Sequence, residues 1–164
     1  MCGGKTGQRL GKEKMRIVIG ADHAGLSMKP HVAALLEKQG HEVIDVGAHS
    51  HDPQDDYPDF ARLVAQSVAD GKADRGIMVC GSGVGASVAA NKVRGVRASV
   101  CHDTYSARQG VEHDDMNVLC LGARIVGEEI VTELVTAFVS ADFSGEERHK
   151  RRLNKLLEME SQFG

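Results

Sequence analysis

The chain has 164 residues, enough for one sizeable hydrophobic core but not for two. Hydrophobic residues make up 41%, charged residues 26%, and the formal net charge is -3, a balance that excludes a wholly disordered chain and argues against non-specific nucleic-acid binding. No apolar run approaches the ~18 residues of a membrane span, and with aromatics at 4% and no Trp the chain has little on which to stack bases.

Residues 1–14 are Gly- and Lys-rich and lack the apolar stretch of a secretory signal. They read as a disordered extension or cloning remnant ahead of one domain over 15–164. Cys2, Cys80, Cys101 and Cys120 are accordingly expected to be reduced thiols in a cytoplasmic protein. Arg16–Gly20 is a short buried-strand run. Leu26–Gln39 carries apolar residues at 28, 32, 35 and 36, a helical stripe closed by Gly40. Glu42–Val46 is a second strand, ended by Gly47. A polar loop over 49–56 leads to a helix opened by Pro58 and running to about Asp70. Gly76–Cys80 is the third strand, broken by Gly81-Ser-Gly-Val-Gly85, and Ala86–Val93 is a short helix. Val96–Cys101 is the fourth strand and Asp103 to about Gly110 a helix. Val118–Leu121 is the fifth strand, Ile125–Val139 is helical, and a basic amphipathic helix covers Gly145 to about Glu160.

Strands alternating with helices predict βαβ units with right-handed crossovers. The strands lack polar alternation, as strands covered by helices on both faces do. The predicted fold is therefore a single doubly wound, Rossmann-like α/β domain. It has a five-stranded parallel sheet, helices on both faces and a C-terminal helix. Ligands of such sheets bind beyond the carboxyl ends of the strands.

After the first strand, Asp22 and His23 put an acid beside a base between glycines. The same residues also fit a turn in which Asp22 caps the next helix. After the third strand, Cys80 precedes a glycine loop whose amides suit a phosphate or a developing oxyanion. Amide dipoles there favour a thiolate, although a lone Cys at a strand end also fits a buried structural role. The loop matches a dinucleotide fingerprint as well, Gly81-x-Gly83-x-x-Ala86 with Asp103 further on, but it follows the third strand and leaves no chain for a substrate domain. His102-Asp103 follows the fourth strand, and His113-Asp114-Asp115 precedes the fifth. No His or Cys spacing matches a metal site, so no metal is expected. Arg148 and Arg152 share a helix face and Arg124 follows the fifth strand, three guanidiniums suited to phosphate or simply to solvent.

Together these segments resemble the type B ribose-5-phosphate isomerase family, which also includes galactose-6-phosphate isomerase subunits and allose-6-phosphate-active members. The resemblance rests on Gly20-Ala-Asp-His-Ala-Gly25, Asp56-Tyr-Pro58, Cys80-Gly-Ser-Gly-Val-Gly85, Ala89-Ala-Asn-Lys92, His113-Asp-Asp-Met-Asn117, Gly122-Ala-Arg124, and Arg148-His149 with Arg152, in the family's order over about 15–155. It implies a cofactor-free aldose–ketose isomerisation of a phosphorylated sugar, ribose 5-phosphate first and a hexose 6-phosphate second. A non-catalytic nucleotide- or phosphosugar-binding module is the alternative class.

By the same resemblance Cys80 is the base acting through a cis-enediolate. The amides of Gly81, Gly83, Val84 and Gly85, with Ser82, hold the enediolate oxygen. Asp22 and His113 assist ring opening, and Tyr57 shapes the sugar site. His23, Arg124, Arg148 and Arg152 hold the phosphate. The resemblance also implies a homodimer or homotetramer with sites at subunit interfaces, to which His113 and Arg124 come from the partner chain. The family divides by its base, and a small Ala86 beside a Cys at 80 fits the Cys branch. This chain has Asp114 where the family usually has Asn, and an ionised carboxylate cannot donate a hydrogen bond to a sugar oxygen. That difference bears on which phosphosugar is preferred.

Overall fold

The computed structural model describes residues 13–164. The expectation for residues 1–14 therefore lies, over 1–12 and with Cys2, outside the described residues. The elements run Arg16–Ala21 (β1), Lys29–Lys38 (α1), Glu42–Asp45 (β2), Tyr57–Ala69 (α2), Arg75–Cys80 (β3), Val84–Ala90 (α3), Ala98–Val100 (β4), Thr104–Asp114 (α4), Val118–Gly122 (β5), Glu128–Ser140 (α5) and Glu147–Phe163 (α6). The five strands form one parallel sheet in the order β2-β1-β3-β5-β4. Among the described residues no helix is long and apolar enough to cross a membrane.

The two faces of the sheet bury two separate clusters, because successive strand side chains point to opposite sides. Ile17, Ile19, Ile77, Val79, Leu119 and Leu121 pack with Val32 and Leu36 of α1, Val111 of α4, and Leu134, Val135 and Phe138 of α5. Val18, Met78, Val118 and Cys120 pack with Ala61, Val64 and Ala65 of α2 and Ala86 and Ala90 of α3. Both faces are covered, so the doubly wound arrangement holds. Small residues dominate the α2–α3 side. They let those helices lie close to the sheet, with Gly76 passing under Val64, where a Cβ would meet Cγ1 at 2.7 Å.

Several boundaries differ from the sequence reading, among them α3 at Val84–Ala90, α5 from Glu128 and α6 to Phe163. The helix expected from Leu26 begins at Lys29, because the chain first makes turns in which the Met28 N–H donates to the Gly25 carbonyl at 3.0 Å. The fourth strand shortens to Ala98–Val100 at the sheet edge, where only β5 pairs with it. The helix expected to stop near Gly110 continues to Asp114 and ends at Asp115, which takes a left-handed φ of 50°. Gly110 is tolerated mid-helix because Met116 packs on it, its Sδ 3.1 Å from where a Cβ would stand. As a result His113 and Asp114 sit on the last turn of α4 and not in a loop before β5.

Candidate active site

β1 lies between β2 and β3, so the chain leaves β1 in one direction and returns as β3 on its other side. The loops beyond these two strands diverge and open a crevice at the point where the strand order switches. A cleft of about 350 Å³ lies there, lined by Asp22, His23, Tyr57, Cys80, Gly81, Ser82, Gly85 and Arg124. Eight residues singled out in the sequence thus meet in one chain.

Asp22 fits both of its readings. Its carboxylate accepts the Gly25 N–H at 3.0 Å and shapes the turn, while the side chain, 5% exposed, borders the cleft. His23 is gripped by Asp55, which takes the His23 backbone N–H at 3.1 Å and lies 2.5 Å from Nδ1. That hydrogen bond, opposed by burial, holds the imidazole above its ordinary value. Tyr57, the first residue of α2, lays its ring against Gly85, where a Cβ would stand 2.6 Å from Cζ.

Cys80 ends β3 and is the free cysteine that faces the cleft among the described residues. Its Sγ accepts the Gly83 N–H at 3.1 Å. Gly83 reaches the sulfur by taking a left-handed φ of 81°, which side chains disfavour. Gly122, at the end of β5, lets the glycine loop lie directly on its backbone, since a Cβ there would be 2.7 Å from the Ser82 carbonyl. The Val84 N–H turns toward Ser82 Oγ at 3.3 Å and opens α3, with the Val84 side chain exposed. Cys101 and Cys120 lie in the core, and burial pushes both thiols up.

Arg124 differs from its expectation as a contribution of the partner chain. Its backbone N–H donates to the Gly81 carbonyl at 3.0 Å, the Ala123 N–H donates to the Cys80 carbonyl at 2.9 Å, and the guanidinium lines the cleft of its own chain. The register that pairs Cys80 with Gly122 brings the loop after β5 to this position.

His113, Asp114, Arg148 and Arg152 do not line this cleft and gather elsewhere. His113 stacks on His149 of α6, ring centroids 4.0 Å apart. Gln109, one turn earlier on α4, approaches His113 Nδ1 at 2.8 Å; an amide donating there leaves the ring proton on Nε2. Asp114 borders a hollow of about 330 Å³ between β4 and α4. Arg148 and Arg152 stand exposed on α6 on either side of His149, and Arg148 pairs with Glu146 at 2.9 Å. His149 is 1% exposed, with Nδ1 2.6 Å from Ser144 Oγ and Nε2 buried without a hydrogen-bond partner among the described residues. Burial, followed by the charges of His113 and Arg148, holds it below the ordinary imidazole value.

Sequence reasoning missed Asp55 and Gln109. Asp55 is a loop acid just outside the Asp56-Tyr-Pro58 segment. Gln109 precedes His113 by four residues, a spacing that signals contact only once the helix is known to pass Gly110. The dinucleotide reading loses its acid, because Asp103 caps α4 by accepting the Ser106 N–H at 2.7 Å. Asp22, His23 and Asp55 offer ligand atoms within 4.8 Å of one another. Within this group His23 Nδ1 and Asp55 Oδ1 engage each other.

The chain is similar to known sugar-phosphate isomerases. A ribose-5-phosphate isomerase B of Escherichia coli (strain K12) is 43% identical over 145 residues, 88% of this chain and 96% of its own length. A D-erythrulose-4-phosphate isomerase of Pectobacterium atrosepticum is 41% identical, over 80% of this chain and 86% of its own. A structure of ribose-5-phosphate isomerase B from Mycoplasma genitalium with bound ribulose-5-phosphate superimposes with a TM-score of 0.85 at 40% identity, covering 90% of this chain and 97% of that one. The ribose/galactose isomerase family model matches residues 17–156, and the chain belongs to that family.

Proposed function

We propose that this protein interconverts ribose 5-phosphate and ribulose 5-phosphate through a cis-enediolate, with Cys80 as the base. The observation that carries the reading is the Gly83 N–H on Cys80 Sγ, at the floor of a cleft that also holds Asp22, His23 and Arg124. A donor on sulfur stabilises negative charge there and orients the lone pair. In the open-chain aldose, the Cys80 thiolate takes the C2 proton and the electron pair moves toward O1. The resulting enediolate takes the proton back at C1, while the O2 hydroxyl proton passes to O1 and C2 becomes the ketone. Ser82 and the amides of Gly81, Gly83, Val84 and Gly85 surround the place where oxygen charge develops. Tyr57 closes the sugar site, and Arg124 with His23 holds the phosphate, whose binding energy positions the sugar for reaction.

One chain supplies only part of this machinery. A homodimer in which the α4–α6 cluster of one copy faces the Cys80 cleft of the other completes it. His113, with its proton on Nε2, would then donate to the ring oxygen, while Asp22 accepts from the anomeric hydroxyl. Arg148 and Arg152 would complete the phosphate site, and Asp114 would meet a sugar hydroxyl. Exposed apolar residues support such an assembly: Val84 and Val88 on α3, Leu156, Leu157 and Met159 on α6, and Ile125 at the cleft. Free thiols at Cys80, Cys101 and Cys120 fit a reducing cytoplasm.

A four-carbon substrate is the second reading, favoured by the similarity to a D-erythrulose-4-phosphate isomerase. The test is a panel of ribose 5-phosphate, D-erythrulose 4-phosphate, allose 6-phosphate and galactose 6-phosphate, with and without EDTA. The expected result is the highest kcat/KM on ribose 5-phosphate, unchanged by EDTA. A tenfold preference for a tetrose or hexose phosphate would replace the substrate, and no turnover of any sugar would leave a binding module.

A further inference from the structure

We infer that Asp55 is a positioning residue for the phosphate end of the cleft, fixing His23 in one orientation and holding it as a cation beside Arg124. This rests on the reading that the cleft takes a sugar phosphate.

Asp55 lies in the loop between β2 and α2, and its side chain is only 10% exposed. Its Oδ1 meets both the backbone N–H of His23, at 3.1 Å, and ring Nδ1, at 2.5 Å. Two bonds to one residue fix the main chain and the ring together, leaving Nε2 for the cleft. The second oxygen, Oδ2, is buried with no hydrogen-bond partner among the described residues. A buried carboxylate with half its acceptor capacity empty is costly unless a positive charge lies against it. An imidazolium at His23 supplies that charge, and a neutral ring does not.

The other groups facing His23 divide. Asp22, at the end of β1, favours the cation, and Arg124, beyond β5, opposes it. His51, from the same loop as Asp55, meets the ring edge-on at 6.1 Å between centroids. Tyr57 and Cys80 line the same cleft. The Asp55 hydrogen bond is the largest of these influences, and the net direction is upward. This matters for the ligand. A phosphate monoester gains its second charge with a pKa near ~6, close to where an unassisted imidazole (~6.5) loses its own. Without Asp55, His23 becomes neutral as the phosphate becomes a dianion. With Asp55, the imidazolium persists to higher pH, where the phosphate is a dianion.

Asp55→Asn keeps the size and an acceptor for the His23 N–H and removes the charge. Two measurements read it: the NMR titration of the His23 imidazole, and KM for ribose 5-phosphate from pH 6 to 8. The expected result is a lowered His23 midpoint and a KM rise at pH 7.5 of at most about tenfold, since an ordinary imidazole is only about one-tenth charged there. The rise should shrink toward pH 6, with kcat changing less than KM. An unchanged midpoint, or a KM change of equal size at every pH, would overturn the inference. Calorimetric binding of inorganic phosphate at pH 7.5 separates this from the reaction assignment. If the wild type turns over no phosphosugar but the variant binds phosphate more weakly with a lowered midpoint, the reaction reading fails and the role of Asp55 stands. If turnover is normal and the variant's KM does not follow pH, the reverse holds.

Discussion

Gly122→Ala adds one carbon at the point where β5 supports the loop that follows Cys80. The new Cβ would stand 2.7 Å from both the carbonyl carbon and the carbonyl oxygen of Ser82, and 2.8 Å from its Cα. Ordinary contact begins at 3.4 Å, so one of the two backbones must yield by about 0.7 Å. β5 is held in the sheet between β3 and β4, so the loop is the part that moves. Overpacking of this kind costs ~1–3 kcal/mol, or roughly 2–12 °C in Tm for a chain of this size. The peptide displaced carries the Gly83 N–H, which now lies 3.1 Å from Cys80 Sγ. A shift of that size along the bond stretches it to about 3.8 Å, the outer limit for a donor on sulfur, and weakens it. Outright removal of a donor to a developing oxyanion is worth ~10²–10³ in kcat, which sets the ceiling for the expected fall. Thermal melting and steady-state isomerase kinetics together test this. A normal Tm with normal kcat would refute the claim that Gly122 sets the loop's position. A lowered Tm with normal kcat would refute the catalytic role of the loop amides.

Three further outcomes follow from the second cluster. Arg148→Ala and Arg152→Ala should each raise KM for ribose 5-phosphate by ~10–100-fold, the worth of a charge-assisted hydrogen bond; both side chains are exposed, so Tm should scarcely move, and unchanged KM in both would leave α6 a solvated basic face. Asp114→Asn, which restores a donor, should keep or raise kcat/KM on ribose 5-phosphate, and a fall would show that the carboxylate itself is used there. His149 is held below the ordinary imidazole value, so the unfolded chain takes up its proton more readily, and stability present above ~pH 6.5 is lost as pH falls toward the lower folded value. Melting from pH 7.5 to 5.5 should therefore fall more steeply in the wild type than in His149→Gln, and parallel slopes would contradict the assignment.

The strands were legible because residues such as Ile17, Val18, Ile77 and Val79 are buried on both faces and leave unbroken apolar runs. The cleft was legible for the same reason: once strand ends are known, Cys80 must lie at one and Asp22 just beyond another. What the sequence hid depends on tertiary contact. Gly110 disguised the length of α4 because its compensation comes from Met116, beyond the helix. The own-chain position of Arg124 follows from the register of Cys80 against Gly122, which no local pattern encodes. Asp55 is an ordinary loop acid until the fold brings His23 against it from 32 residues away.

The central claim is that Cys80 moves the proton, and the most direct test is kcat for ribose 5-phosphate in Cys80→Ala. The change removes the sulfur and leaves a small apolar side chain facing the Val18 and Met78 layer of the core, so the fold should survive. Loss of the base should lower kcat by at least ~10³-fold, toward the upper part of the range for general acid–base catalysis. KM should stay within a few-fold, because Arg124 and His23 remain. Turnover within tenfold of the wild type would contradict the account and move the role of base to Asp22 or His113.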